Sequence, residues 1–278
     1  MSIFHSRTLL SLSIFTLAAG LAAPAPPAHA EAIERTANGV IVHVAKGVVQ
    51  VEVCSDRVVH VLASAAGAPA KSVVPAVIGP CSDAAFTSSS DDARFHIETL
   101  ALKIDIDRVS GSVRFLRAGG DNILSEQPRQ WQPVALAGVE GSEHGIEQQF
   151  QLSPGEALYG LGQHQEGFLN LRDIPLRLLQ ANTNIVIPFL VSTKGYGLLW
   201  NNAALTDFNP ATDAIKLDDT GAGTFQTGAE GEYGFLLNGN FRDKLRLSVN
   251  GEQIVDIKNM WVAASASGKI HLAANTTY

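Results

Sequence analysis

Val40-Ile-Val-His-Val44 and Val49-Gln-Val-Glu-Val53 decide the fold class of this chain. In each run, alternate positions carry valine. The residues between them include His43, Gln50 and Glu52. A period of two with one apolar face predicts antiparallel β-strands laid over a core. The same period returns at Leu102-Lys-Ile-Asp-Ile106. Working outward, short apolar runs appear at 94–100, 112–117, 134–136, 145–152, 185–191 and 197–201, separated by Gly, Ser, Asp and Pro. Helix signals are nearly absent. Many short strands with frequent turns predict a sandwich or a barrel.

Two polar breaks interrupt the pattern. Residues 82–93 predict a surface loop, and 209–231, rich in Gly, Asp, Thr and Ala, predict a second one. Strands resume at Gly231–Leu237 and at Leu245-Arg-Leu-Ser-Val249. Asn250-Gly251 then predicts a type I′ hairpin turn, because both residues tolerate positive φ. Glu252–Ile257 forms the return strand, Trp261 lies in the next connection, and Lys269–Ala273 starts another strand.

The chain opens on a leader pattern. Arg7 supplies a positive charge, Leu9–Ala23 is apolar, Pro24-Ala-Pro-Pro27 ends the run, and Ala28-His-Ala30 offers a small-x-small cleavage site before Glu31. The uncharged run from Thr8 to Pro27 also raises a membrane anchor, which needs about 20 apolar residues. Ser11, Ser13, Thr16, Gly20 and the prolines weaken that reading. The expectation is therefore a cleaved signal over residues 1–30, no stable membrane anchor, and a periplasmic or extracellular destination.

A net charge of −7 over 278 residues, without a Lys/Arg cluster, gives no footprint for nucleic acid. Cys54 and Cys81 are the only two cysteines. In an exported chain they suggest a disulfide, contributing about 3–4 kcal/mol on the chain-entropy model. Two separate free thiols are the alternative. No Cys/His spacing of the metal-binding kind accompanies them.

Gly, amide and aromatic residues concentrate in Leu158-Tyr-Gly-Leu-Gly-Gln-His-Gln-Glu-Gly-Phe-Leu-Asn-Leu-Arg172, Gln180-Ala-Asn-Thr-Asn-Ile-Val-Ile-Pro188 and Ser192-Thr-Lys-Gly-Tyr-Gly-Leu-Leu-Trp-Asn201. These clusters take loop-like places, where binding chemistry gathers. Gly160 and Gly162 predict positive φ or close packing at a bend. They are not a phosphate loop, since no Gly-Lys-Ser/Thr follows. Gly195-Tyr-Gly197 predicts a hairpin turn, with Tyr196 and Trp200 packed on the sheet. His164 and Glu166 allow three readings: two metal ligands, an acid/base pair, or an interface with another domain. Asp105 and Asp107 share a strand face, which predicts a solvated face in preference to a calcium site.

The 158–201 stretch resembles the N-terminal, galactose-mutarotase-like β-sandwich of glycoside hydrolase family 31, the α-glucosidases and α-xylosidases. Gly231-x-Tyr-x-Phe235, Leu247-x-Val-Asn-Gly251, Asp256 with Trp261, and Leu272-Ala-Ala-Asn275 resemble a protective-antigen-type β-sandwich inserted in some members. The resemblance implies an all-β chain: a signal over 1–30, an antiparallel β-sandwich over 31–215, and an incomplete second β-sandwich over 216–278. It also implies that the chain stops before the family's catalytic barrel.

Family 31 carries its two catalytic aspartates on that barrel, the nucleophile in a Trp-x-Asp-Met-type motif. The residues after Trp131, Trp200 and Trp261 are Gln132-Pro133, Asn201-Asn202 and Val262-Ala263, so no catalytic residue is assigned here. By resemblance, a loop through Gln180, Asn182, Thr183 and Asn184 reaches over the barrel mouth. Amides both donate and accept, which suits sugar hydroxyls. Capping of local turns is their competing use. The function implied is the non-catalytic, carbohydrate-binding region of an exported retaining α-glycosidase. Its implied partners are an oligosaccharide and the barrel. No cofactor or metal is implied. A free-standing carbohydrate-binding sandwich and an aldose epimerase-like enzyme are the alternatives.

Overall fold

The computed structural model describes residues 2–5, 33–65, 81, 84–134, 143–182, 184–202, 204–239, 244–258 and 264–278. Among them every regular element is a β-strand, and every strand pairing is antiparallel. Among the described residues no helix is long and apolar enough to cross a membrane. Two compact units divide the chain, one spanning Ala18–Gly155 and the other Glu156–Tyr278 together with Met1–Leu17.

Strands run in order β1 Ser2–His5, β2 Ile33–Arg35, β3 Gly39–Val44, β4 Gly47–Val53, β5 Val59–Ser64, β6 Thr87–Ser90, β7 Arg94–Glu98 and β8 Leu102–Asp107. There follow β9 Val113–Arg117, β10 Asn122–Glu126, β11 Gln130–Val134, β12 Glu143–Glu147, β13 Phe150–Gln151, β14 Leu158–Gln163, β15 Leu176–Leu178 and β16 Ile185–Ser192. The last are β17 Tyr196–Leu199, β18 Thr206–Phe208, β19 Asp213–Ala214, β20 Gly231–Gly239, β21 Leu245–Val249, β22 Glu252–Ile257 and β23 Ala264–Leu272.

In the 18–155 unit, the sheet β2-β3-β4-β5 and the sheet β13-β10-β9-β8-β7-β6 share one core. Val40, Val42, Val49, Val51 and Val53 meet Phe95, Ile97, Ile104, Ile106 and Val113. The alternation that predicted these strands supplies their inner faces, as a sandwich requires. Each such side chain contributes about 1.5–3 kcal/mol by leaving water. Cys54 and Cys81 form a disulfide in this unit.

Two expectations are corrected here. The polar break 82–93 contains β6, an exposed edge strand of Thr and Ser paired to β7 in the register Thr87↔Glu98 to Ser90↔Phe95. Its outward hydroxyls carried no apolar pattern, so periodicity missed it. Asp105 is not on a solvated face, for it is only 8% exposed. Arg114 Nη2 donates to Asp105 Oδ2 at 2.5 Å, and His96 Nδ1 lies 2.8 Å from Asp105 Oδ1. Asp107 caps a turn, its Oδ1 accepting from Ser110 N at 2.7 Å and Val109 N at 3.1 Å.

The 156–278 unit holds the sheets β19-β1-β20-β23, β14-β16-β17, β15-β18 and β21-β22. Tyr233, Phe235, Val249 and Leu272 build one cluster, and Leu237, Val255 and Ala266 another. Ser2–His5 pair with Tyr233–Leu236 of β20, whereas the rest of the leader, 6–30, lies outside the described residues. So does Trp261. Asn250 and Gly251 take φ of 50° and 87° in a two-residue hairpin, as the Asn-Gly pair predicted.

Candidate functional site

Much of the three clusters is strand and not loop: β14, β16 and β17 run through them, and the Thr193–Gly195 turn lies at the Leu158 end of the sheet β14-β16-β17. The loop segments that follow β14, precede β16 and follow β17 come to the other end. Gln163, the last residue of β14, faces Ile185, the first of β16. β17 runs toward the same end, with Leu199 opposite Phe189 and Trp200 N donating to the Pro188 carbonyl at 2.8 Å. Antiparallel pairing thus gathers 164–168, 180–184 and 200–202, which the sequence separates.

Backbone conformation shapes that end. Gly160, Leu161 and Gly162 all have positive φ, at 113°, 62° and 104°. The register jumps here, from Gly160↔Leu190 to Gly162↔Val186. A Cβ at Gly160 would lie 2.4 Å from the Phe189 carbonyl oxygen, and one at Gly162 would lie 1.9 Å from that of Ile185. Only glycine lets the strands approach this closely. The irregularity leaves Leu161 buried.

Beyond the irregular stretch lies a cavity of about 220 Å³, lined by Gln163, His164, Glu166, Phe168, Leu171 and Leu176 beside the two glycines. His164 Nε2 is 2.9 Å from the Leu161 carbonyl, which fixes the ring. Burial pushes the Glu166 carboxyl above the usual carboxylate range. Its Oε2 is buried without a hydrogen-bond partner. Among the described residues no group of three or more His, Cys, Asp or Glu could hold a metal ion, so the two-ligand reading of His164 and Glu166 gains no further ligand.

The amide loop lies at the same sheet end but lines no part of the cavity. Gln180 is exposed, and its Oε1 accepts from Val186 N at 3.0 Å, the turn-capping use. Asn182 is exposed. Asn184 is half-buried, with its Oδ1 buried and unpartnered. Ala181 and Asn184 exchange backbone hydrogen bonds of 3.3 and 3.2 Å, closing a tight loop over Asn182. Thr183 lies outside the described residues. Trp200 is half-buried, and its Nε1 is likewise without a partner.

One node escaped sequence reading. Ser192 Oγ donates to Glu156 Oε1 at 2.5 Å, and Tyr196 OH donates to the same oxygen at 2.7 Å. Glu156 is 2% exposed. Burial first, then the bond to Glu156, raises the Tyr196 phenol well above its ordinary value. The node anchors the β16–β17 hairpin. The spacing of 36 and 40 residues from Glu156 carries no sequence signal.

A family model described as the glycosyl hydrolase 31 N-terminal galactose mutarotase-like domain matches residues 48–209. The chain belongs to this family. Among its relatives, an α-xylosidase of Saccharolobus solfataricus is 41% identical over 87 residues, covering 28% of this chain and 12% of the relative. An uncharacterized family 31 glucosidase of Pseudescherichia vulneris is 31% identical over 118 residues, covering 35% of this chain and 22% of the relative. The crystal structure of a family 31 α-xylosidase from Xanthomonas citri has a TM-score of 0.69 at 23% identity, over 87% of this chain and 33% of that one. A soil-metagenome α-xylosidase complexed with xylose has a TM-score of 0.55 at 22% identity, over 63% of this chain and 29% of that one. The chain therefore spans a third or less of each of these proteins. The structural likenesses establish the shared all-β sandwich fold.

Proposed function

We propose that this chain is the non-catalytic, carbohydrate-contacting N-terminal region of an exported, retaining α-glycosidase of the α-xylosidase or α-glucosidase kind. The carrying observation is the convergence of three amide- and aromatic-bearing loops at one end of a rigid sheet, where Glu166 Oε2, Asn184 Oδ1 and Trp200 Nε1 lack partners. Loops held over a rigid scaffold are where binding contacts gather, and Gln180 and Asn182 are exposed there. The names of the relatives favour an α-xylosidase.

Catalysis belongs elsewhere in this reading. Retaining hydrolysis uses two carboxyls about 5–5.5 Å apart. Glu166 is the one carboxyl among the residues that line the cavity. The catalytic barrel is the proposed partner. Support comes from the outer face of β16, where Ile185, Ile187, Phe189 and Val191 are all exposed, Ile187 by 56%. A contiguous apolar sheet face of this kind marks an interaction surface. The leader reading of 1–30 supports export, and residues 31–215 and 216–278 remain our proposed sandwich and insert.

Two measurements test the proposal on the purified chain. No xylose or glucose is expected from α-linked p-nitrophenyl donors, and release of either overturns the non-catalytic role. Xyloglucan oligosaccharides are expected to shift the NMR amide signals of Gln180, Asn182 and Asn184. Unmoved signals remove the carbohydrate-contacting role. The aldose epimerase-like alternative draws on His164 and Glu166 lining one cavity. The bond from His164 Nε2 to the Leu161 carbonyl speaks against it, because that nitrogen is already engaged. Unchanged polarimetric relaxation of fresh α-glucose would dismiss it.

A further inference from the structure

Asn-Gly occurs at Asn38-Gly39, Asn238-Gly239 and Asn250-Gly251. The pair is chemically labile, because glycine has no Cβ to shield its backbone nitrogen from the preceding carboxamide. The fold gives the three pairs different surroundings. Asn38 is half-buried, its Oδ1 accepts from Thr36 Oγ1 at 3.4 Å, and its carbonyl accepts from Val53 N at 2.7 Å. Gly39 is buried in β3 and paired with Glu52. Asn238 and Gly239 belong to β20 and pair with Ser265 and Ala264 of β23. Asn250 and Gly251 form the tip of the β21–β22 hairpin, between the paired Val249 and Glu252. Both are exposed, and a Cβ added at Gly251 would meet open space.

Attack of the glycine nitrogen on the carboxamide requires the backbone between the two residues to rotate. Inside a ladder that rotation breaks strand hydrogen bonds. At an exposed tip, local opening costs least. β21 and β22 also form a sheet of two strands, an arrangement with little stability of its own in water. The same dipeptide is therefore held in two places and released in the third.

We propose that Asn250 is a self-modification site, which converts with age to aspartate and β-linked aspartate ahead of Asn38 and Asn238. The Gly251 nitrogen loses its proton to hydroxide and bonds to Asn250 Cγ. The Cγ–Nδ2 bond breaks, and Nδ2 takes a proton from water and leaves as ammonia. Water then opens the cyclic imide. Cleavage of one of its ring C–N bonds gives aspartate, and cleavage of the other gives the β-linked form. Overall, water is consumed and ammonia released, with no oxidant or reductant.

The two products differ in consequence. Both add a negative charge, but only the β-linked form routes the main chain through the side-chain methylene. A two-residue hairpin fixes its register by the geometry of those two residues, so the extra backbone atom disturbs the pairing of Val249 with Glu252. Val249 packs with Tyr233, Phe235 and Leu272, and Val255 with Leu237 and Ala266. A disturbed hairpin therefore loosens both clusters.

Ageing of the 278-residue chain at neutral and at mildly alkaline pH, followed by peptide mapping with mass spectrometry, reads the three sites separately. Conversion at Asn250 is expected to run at least about tenfold faster than at Asn38 or Asn238, and to quicken at the higher pH. In urea that unfolds the chain, the three rates are expected to converge. Methylation by protein isoaspartyl methyltransferase is expected at position 250. Amide hydrogen exchange across β21 and β22 is expected to quicken in the aged chain but not in fresh Asn250→Asp, which carries the charge on an unaltered backbone. Equal rates at the three sites of the folded chain overturn the proposal. So does an Asn250 that stays intact while the urea-unfolded chain converts. Exchange that quickens as much in Asn250→Asp overturns the part assigned to the β-linkage.

Discussion

At the scale of single residues, buried polar groups govern this molecule in ways the sequence does not announce. Tyr196 OH and Ser192 Oγ both donate to the buried Glu156 carboxylate. Tyr196→Phe deletes one charge-assisted bond and is expected to cost about 1.5–3 kcal/mol, read as a lower urea midpoint with an unchanged slope. His96 sits between Asp105 and Asp91, and Arg114 binds the far oxygen of Asp105. The hydrogen bond to Asp105 chiefly lifts the His96 imidazolium above its ordinary 6.5, with burial opposing. Burial alone would raise the Asp105 carboxyl, yet the bonds from His96 and Arg114 outweigh it and hold that group below its ordinary value. A raised histidine contributes stability that is complete below its unfolded value and disappears as pH rises through its folded one. The urea midpoint should therefore fall as pH climbs from about 6.5 toward 8 in the native chain and change less in His96→Gln. Equal slopes in the two proteins would refute this assignment.

At the scale of elements, glycines of different purpose separate cleanly. Gly251 has φ of 87° and open space where a Cβ would go, whereas at Gly162 that Cβ would meet the Ile185 carbonyl oxygen. Gly251→Ala should cost about 1–2 kcal/mol, the left-handed penalty alone. Gly162→Ala adds a backbone collision and should cost more and displace the β14–β16 pairing, visible in amide hydrogen exchange of Gly160–Gln163. The Cys54–Cys81 bridge spans 27 residues. Its removal by paired Cys→Ser substitution is expected to cost about 3–4 kcal/mol in the 18–155 unit, and the same melting shift should follow reduction. Element existence was legible wherever one face was apolar, as in β3, β4 and β8. The strand β6 was not, because Thr and Ser on an exposed edge carry no period-two contrast.

At the scale of the whole molecule, the apolar outer face of β16 is the main unresolved contact. Ile185, Ile187, Phe189 and Val191 alternate along one strand and remain exposed, beside Leu199 on β17. If this face docks the catalytic barrel, as proposed, the isolated chain should bind an apolar dye such as anilinonaphthalene sulfonate. Ile187→Thr with Phe189→Thr should diminish that fluorescence and any self-association without lowering the melting temperature. A lower melting temperature would place these side chains in the core instead.

Sequence by itself determined the strand class, the inner faces of the 18–155 sandwich, the Asn250-Gly251 turn and the family, because period two, turn chemistry and motif spacing are local properties of the chain. It also named the three clusters. Tertiary structure alone decided that 164–168, 180–184 and 200–202 meet at one sheet end, that His164 and Glu166 share a cavity which Gln180, Asn182 and Asn184 do not line, and that Glu156 holds the β16–β17 hairpin. Those facts depend on antiparallel register between distant strands, and no short-range pattern encodes it.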